Sequence, residues 1–349
     1  MEECKINLIC PECKKILRRR DSGTLECPAC KTLFAVEGNI VSFLGNKGAI
    51  AQDLNYYQQW QEQADATSKQ AENYRKYFYS HARLRNIYAR LKKFFHAKIK
   101  ENSTLYLLAD YFVARKDIFF KDFFKAKPSG FILDLGCGRG NDLFNRFGYS
   151  VGIDFNIDVL RESSYNLLIQ GDILKLPFED GQFDYIVSTD FLEHIPFARQ
   201  DIFYRELKRV LKKGGYMAHF VTTDSRIFWF RFAHRFPELF QKHLIKAIGG
   251  HYGLEFPSRL IKKVEGYGFK LVHKQKMLWE PWEFILRFDN EYKEKSRQIK
   301  FIVNFMRRLM KHDFIFHLVT IVVSIFVRIY EALMPVDFSN KIGVVFKNL

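Results

Sequence analysis

The sequence predicts an α/β fold: a mostly parallel sheet flanked by helices, preceded by a small metal-stabilised module and carrying helical additions. Three observations predict it. The apolar run Phe131–Leu135 passes directly into a loop with glycines at 136, 138 and 140, as a buried parallel strand enters a ligand-binding turn. From residue 128 onward, short apolar runs alternate with helical patterns, the signature of repeated strand–helix–strand units. Ahead of them stand two Cys-x-x-C knuckles, Cys10–Cys13 and Cys27–Cys30.

The chain has 349 residues, 48% of them hydrophobic, enough for a large core and incompatible with wholesale disorder. Its 36 phenylalanines point to broad apolar contact surfaces. The net charge of +16 is unevenly spread: +2 over 1–50, +7 over 51–127, −4 over 128–225 and +11 over 226–349. The segment with the glycine loop is acidic and its flanks are basic. Basic flanks suit an anionic partner, either nucleic acid or an anionic membrane face, and also suit an ordinary solvated surface. The start, Met1-Glu-Glu-Cys-Lys5, is acidic and lacks an apolar core, so no secretory signal is expected and the cytoplasm is the expected compartment. Four of six cysteines in knuckles fit a reducing compartment better than a disulfide framework.

Taken in order, residues 1–48 read as a zinc ribbon. Cys10, Cys13, Cys27 and Cys30 place four thiolates where tetrahedral Zn²⁺ needs them, and all four positions are filled, so the metal is structural. The segment is too small to fold on apolar burial alone, and metal binding supplies the difference. Lys31–Phe34 and Asn39–Leu44, separated by Gly38, read as its strands, and Cys4 lies outside the shell. The competing readings are a redox pair or core cysteines. Residues 49–127 read as a helical cap or linker, rich in Gln, Ala, Lys and Tyr, with no proline before 128. An aromatic-basic stretch from Tyr74 to Phe95 could cover a cleft or simply pack on the core.

The loop Gly136-Cys-Gly-Arg-Gly140 is not the dinucleotide pattern, since Asn141 follows, and it lacks the Lys-Ser/Thr ending of a phosphate loop. A glycine loop without phosphate-binding features suits a nucleoside without phosphate, S-adenosylmethionine (SAM). A short helix at about 141–147 leads to the strand Ser150–Ile153, which ends at Asp154. An acid at that place bonds ribose hydroxyls. Asn166–Gln170 is a third strand, followed by Asp172 and Ile173, which can receive an adenine amino group and cover its ring. Phe183–Thr189 is a fourth strand, leaving into Asp190-Phe-Leu-Glu-His194. A helix at about 198–212 stops at Lys213-Gly-Gly215, and Tyr216–Thr222 is a fifth strand. A helix at about 257–265 precedes the sixth, Gly268–Lys276.

Asp134-x-Gly-x-Gly-x-Gly140, Gly152-Ile-Asp154, Gly171-Asp172, Leu176-Pro-Phe-x-x-x-x-Phe-Asp184, Asp190-x-x-Glu-His194 and Leu207-x-Arg-Val-Leu-Lys-x-Gly-Gly215 follow one another in order. Together they resemble the class I SAM-dependent methyltransferases, nearest the branch with the ubiquinone and menaquinone enzymes. The resemblance covers roughly 128–277 and a last strand near Gly343–Lys347. It implies a Rossmann-like seven-stranded sheet with a reversed final strand, filling 128–349. It also implies that Asp134, Gly136 and Gly138, with Cys137 and Gly140 in the same loop, serve the methionine end. Asp154 and Phe155 then serve the ribose, Asp172 and Ile173 the adenine, and Asp190 closes the cofactor site. Asn156 stands where that family commonly has serine. The knuckle region is similar to zinc ribbons fused to methyltransferases, over about 40 residues.

A helical insertion is expected at about 278–340. In its first helix, about 297–311, Ile299, Ile302, Phe305 and Leu309 share one face and Arg297, Lys300, Arg307, Arg308 and Lys311 the rest. The second, about 314–334, is apolar except for a stripe of His317, Thr320, Ser324, Arg328 and Glu331. Arg328 and Glu331 make it too short to span a bilayer. Lying in the interface on the inner face of the membrane competes with burial in an enlarged domain.

Methyl transfer from a sulfonium is an in-line displacement, helped by alignment and, for a hydroxyl nucleophile, by proton removal. Asp190 and His194 are the candidates for that proton, with His251 a third; each could instead only pack. The leading function is a methyltransferase acting on a small-molecule, lipid-linked or glycan acceptor, on oxygen. The competing functions are an RNA base methyltransferase, which the zinc ribbon and basic aromatic segments also suit, and a non-catalytic adaptor with the same fold.

Overall fold

The computed structural model describes residues 6–44, 115–245, 250–278, 288, 291–310 and 313–349. Cys4, the stretch Tyr74 to Phe95 and the rest of the expected cap before residue 115 lie outside those residues. The described part opens that region with one helix, α1 (Arg115–Phe124), which buries Ile118, Phe119, Phe120 and Phe124.

Seven strands form the centre of the sheet: β5 (Gly130–Leu135), β6 (Gly148–Asp154), β7 (Leu167–Gln170), β8 (Phe183–Thr189), β9 (Leu211–Thr222), β10 (Phe269–Met277) and β11 (Lys341–Asn348). They lie in the order β7-β6-β5-β8-β9-β11-β10. β7 to β9 run parallel, and β11 is antiparallel to both its neighbours. This is the seven-stranded sheet with a reversed last strand that the sequence predicts. Side chains from both faces of β5, β6 and β8 are buried, as a parallel sheet covered on both sides requires. The helix α3 (Gln200–Val210, after the one-turn α2, Ile157–Leu160) turns Phe203, Tyr204, Leu207 and Val210 into the core at helical spacing.

Several boundaries differ from expectation. The helix after the glycine loop is only the 3₁₀ turn Phe144–Arg146. The helix expected over 198–212 begins as a 3₁₀ turn, Phe197–Arg199, and ends at Val210. β9 therefore starts at Leu211, not Tyr216, and Lys213–Gly215 is an irregularity inside a strand rather than the turn before it. Asn348 holds it there, donating through Nδ2 to the carbonyls of Leu211 and Lys212 at 2.9 and 3.0 Å.

The cysteine segment is joined to this sheet. β1 (Arg18–Asp21), β2 (Thr24–Glu26), β3 (Leu33–Glu37) and β4 (Ile40–Ser42) form an antiparallel ribbon. Ile40–Ser42 then pair in parallel with Leu168–Gln170, giving one sheet of 11 strands among the described residues. The ribbon covers an edge that would otherwise present unpaired backbone groups. Cys10 and Cys27 belong to the same buried cluster as Leu133, Ile153 and Phe178.

After α4 (Phe228–His234) and α5 (Pro257–Gly266) come the two insertion helices, α6 (Arg297–Met310) and α7 (Asp313–Leu333). α6 is rotated from the expected face: Ile299 and Val303 are buried, whereas Phe305 is exposed, as is Phe301 at 71%. α7 is turned inside out. Glu331 is buried and receives a two-pronged hydrogen bond from Arg115 at 2.8 and 2.7 Å, with Arg328 nearby at 3.7 Å. Leu318, Val322, Ile325, Phe326, Ile329 and Leu333 are large apolar residues exposed on it. No helix of the described residues is long and apolar enough to cross a membrane.

Candidate active site

A cavity of about 520 Å³ opens at the carboxyl ends of β5, β6 and β8, where ligands of open parallel sheets bind at the change of strand order. Its floor is the glycine loop. Gly136 and Gly138 have φ of 59° and 53°, a region that favours glycine. A Cβ at Gly136 would also lie 2.2 Å from the Phe191 ring, so this position admits no side chain, while the space around Gly138 is open. Gly140 faces away, toward Ser163 and Tyr165.

Asp154 ends β6 and clamps that loop. Its Oδ2 accepts the Gly138 N–H and its Oδ1 the Asn156 N–H, both at 2.9 Å. Burial raises its pKa, partly offset by those N–H groups. A carboxylate has further lone pairs for ribose hydroxyls. The predicted residues Gly136, Gly138, Asp154, Phe155, Ile173, Asp190 and His194 all line the cavity, and Asn156, Gly171, Phe191 and Arg199 join them.

Asp134, Cys137, Gly140 and Asp172 are not among the lining residues. Asp134 is buried and accepts a 2.7 Å hydrogen bond from the Tyr165 hydroxyl, which in turn accepts the Asn141 N–H at 2.8 Å. Its carboxyl is pushed up to about 7, chiefly by burial. It braces the loop from beneath. Burial also raises the Cys137 thiol well above its ordinary value, so it stays protonated. Asp172 caps its own turn, accepting the Leu174 N–H at 2.8 Å. Asn156 and Gly171 were missed because their signals are only adjacency to Asp154 and Asp172.

The far wall carries reactive side chains. Asp190 leaves β8 with φ 49°, an uncommon conformation for a side-chain-bearing residue and one that clusters at functional sites. It accepts the Thr222 hydroxyl at 3.3 Å. The 3₁₀ turn Leu192–His194 then presents His194, whose ring stands 4.9 Å and 71° from that of His251. Glu193, close to both, is pushed up to about 8 by burial and by Asp190. Beyond this cluster the rim is apolar: Ile195, Pro196 and Ala198. The cavity therefore joins a nucleoside-sized polar floor to an apolar mouth, and its residues fit SAM: an open glycine cradle, a ribose acid and an apolar adenine cover at Ile173.

In the ribbon, Sγ–Sγ separations of 3.7, 3.6 and 3.7 Å link Cys10–Cys30, Cys10–Cys13 and Cys13–Cys27. Four sulfurs about 2.3 Å from one tetrahedral zinc lie about 3.8 Å apart. The sulfurs fit that shell.

Residues 133–219 match the family described as Methyltransferase domain. Over 107 residues the chain is 34% identical to a fatty-acid O-methyltransferase of Mycolicibacterium smegmatis, 27% of this chain and 37% of that one. Over 116 residues it is 32% identical to a demethylmenaquinone methyltransferase of Staphylococcus carnosus, 30% of this chain and 47% of that one. A sterol 24-C-methyltransferase of Schizosaccharomyces pombe is 31% identical over 103 residues, 26% and 27% of the two chains. The chain thus spans less than half the length of these curated relatives. Strand order, glycine loop and family match agree on a methyltransferase domain over residues 133–219, with the sheet order of the class I SAM-dependent fold.

Proposed function

We propose that the chain moves the methyl group of SAM to a hydroxyl of a small apolar or lipid-linked acceptor, taken up at the cytoplasmic face of a membrane. The observation that carries this reading is the single cavity running from Gly138 and Asp154, past Asp190 and His194, to the apolar rim at Ile195, Pro196 and Ala198. Bound SAM supplies an electrophilic methyl carbon. The chain aligns and shields: the glycine loop and Asp154 hold the nucleoside, Phe191 and Ile195 exclude water, and Asp190 and His194 face the hydroxyl proton. A polar floor with an apolar mouth suits an acceptor that is mostly hydrocarbon with one polar end. Fatty acid, quinone precursor and sterol acceptors, named for the relatives, are of that kind.

The membrane part is supported by α7, which turns Glu331 and Arg328 inward and an apolar stripe outward. Six residues spaced 318, 322, 325, 326, 329 and 333 are exposed, the reverse of a soluble surface helix. Beside it α6 exposes Phe301 and Phe305 together with Arg297, Arg307 and Arg308, the combination that holds a helix in an anionic interface. The ribbon completes the proposal as a structural zinc site.

Tritium-labelled SAM incubated with the protein and a cell extract tests the whole. Label in the lipid-extractable pool is the expected result. Label confined to RNA would replace this reading with base methylation, and SAM binding without label in any pool would make the chain an adaptor.

A further inference from the structure

His194, which lines the cavity, stands in a cluster with two side chains that the scheme leaves unused, Glu193 and His251. One nitrogen each of His194 and His251 and a carboxylate oxygen of Glu193 lie within 4.8 Å of one another. Glu193 is only 1% exposed, and its Oε2 has no hydrogen-bond partner. A buried carboxylate oxygen left in this way is costly unless something occupies it. Its other oxygen is fixed, accepting the Thr222 N–H at 3.1 Å.

The backbone builds the cluster deliberately. His251 lies in a separate loop, pinned where Gly253 N–H donates to the Glu193 carbonyl at 2.8 Å. A Cβ at Gly253 would sit 2.2 Å from the Ile195 carbonyl, so only glycine lets the two segments approach. The His251 N–H donates to Ile245 at 2.9 Å, which fixes the loop from its other side.

We propose that Glu193, His194 and His251 bind a divalent first-row transition cation that holds the acceptor hydroxyl against the SAM methyl. This rests on the hydroxyl-transfer reading above. Two imidazoles and one carboxylate suit a cation of intermediate softness and leave coordination positions open. An oxygen bound there is polarised for attack. As it forms the new C–O bond, the S–C bond breaks and its electron pair returns to sulfur. The hydroxyl proton passes to Asp190, which lines the same cavity. Four thiolates hold zinc more tightly than two imidazoles and a carboxylate, so one equivalent of zinc fills the cysteines and leaves this site for a second metal.

The test uses the full chain with zinc at the cysteines, titrated with Mn²⁺ and followed by electron paramagnetic resonance. One equivalent should bind, weakening at least tenfold in His251→Ala and in Glu193→Gln, while calorimetry shows SAM still bound. No bound Mn²⁺ in the wild type, or undiminished binding in both variants, overturns the site. Should His251→Ala not fold, His194→Gln reports the same loss. The two readings fail separately: Mn²⁺ bound with no label on any hydroxyl keeps the site and removes hydroxyl transfer. Labelled hydroxyls without bound Mn²⁺ do the reverse.

Discussion

At His194 the chemistry concentrates into one side chain. It lines the cavity, stands 4.9 Å from His251 and follows the strained Asp190 by four residues. On the proposed reading, whether it takes a proton or holds a cation, its loss removes an interaction made with the reacting hydroxyl. His194→Ala should lower turnover by ~10²-fold or more and leave SAM affinity unchanged; equal turnover in single-turnover assays would remove it from the mechanism. Asp134 shows the opposite kind of importance. The family resemblance makes it a ligand residue, yet it lies beneath the loop, bonded to Tyr165. Burial first, opposed by the Tyr165 hydroxyl and reinforced by Asp154, raises its carboxyl to about 7. The folded state thus favours the neutral acid. Its contribution is whole below about pH 4 and is lost as pH rises through about 7, a change of at most ~4 kcal/mol. Asp134→Asn should flatten that loss. Urea unfolding of both proteins at pH 5 and pH 8 measures it, and parallel losses in the two would refute the assignment.

Among the elements, the ribbon matters through what it touches. Ser42 Oγ donates to Gln170 Oε1 at 2.7 Å, Phe43 N–H to the Gln170 carbonyl at 2.8 Å, and Gln170 Nε2 to the Phe155 carbonyl at 3.1 Å. Phe155 lines the cavity. On the proposed zinc reading, metal binding that folds the ribbon would also fix the wall assigned to the ribose. Replacing Cys27 with serine should lower the melting temperature and weaken SAM binding roughly tenfold, about 1.4 kcal/mol; calorimetric SAM affinity unchanged by the substitution would uncouple the two. This coupling was invisible in the sequence, whereas the site's ingredients were not. The glycine loop, Asp154, Ile173 and the exit at 190–194 are legible because backbone conformation and chemistry there are local. The pairing of Ile40 with Leu168 joins strands 128 positions apart, and nothing in three residues of ribbon strand specifies a partner. Likewise Arg18–Asp21 reads as four charged residues without alternation, because all four are exposed in a strand that packs nothing. Periodicity found the polar stripe of α7 but could not say which side faces the protein. That was decided by Arg115, 216 positions from Glu331.

Over the whole molecule, charge and exposed apolar surface fall together. The segment 128–225, which lines the cavity, is acidic at −4, and 226–349, which includes α6 and α7, carries +11. An interface that combined only charge would release the protein in salt; one that combined only apolar contact would not discriminate lipids. Among its described residues α7 exposes the large apolar side chains at 318, 322, 325, 326, 329 and 333, with Leu333 at 74% and Phe326 at 66%. Each is worth on the order of 1 kcal/mol when half-buried in the headgroup boundary. Each basic residue near an anionic surface adds about 1 kcal/mol, and that part is screened. The protein should therefore co-sediment with phosphatidylglycerol-containing vesicles more than with phosphatidylcholine alone. Raising salt should weaken the binding without abolishing it. Replacing Ile325 and Ile329 with glutamate inverts the stripe without touching the inward Arg115–Glu331 pair. Vesicle affinity should fall tenfold or more while SAM binding stays as it was. Because the acceptor would reach the cavity from the membrane, the same variant should keep methylating a detergent-dispersed acceptor and lose activity on a vesicle-borne one. Equal loss on both would place the damage in the fold, and vesicle binding unchanged by the double substitution would show that another surface makes the contact.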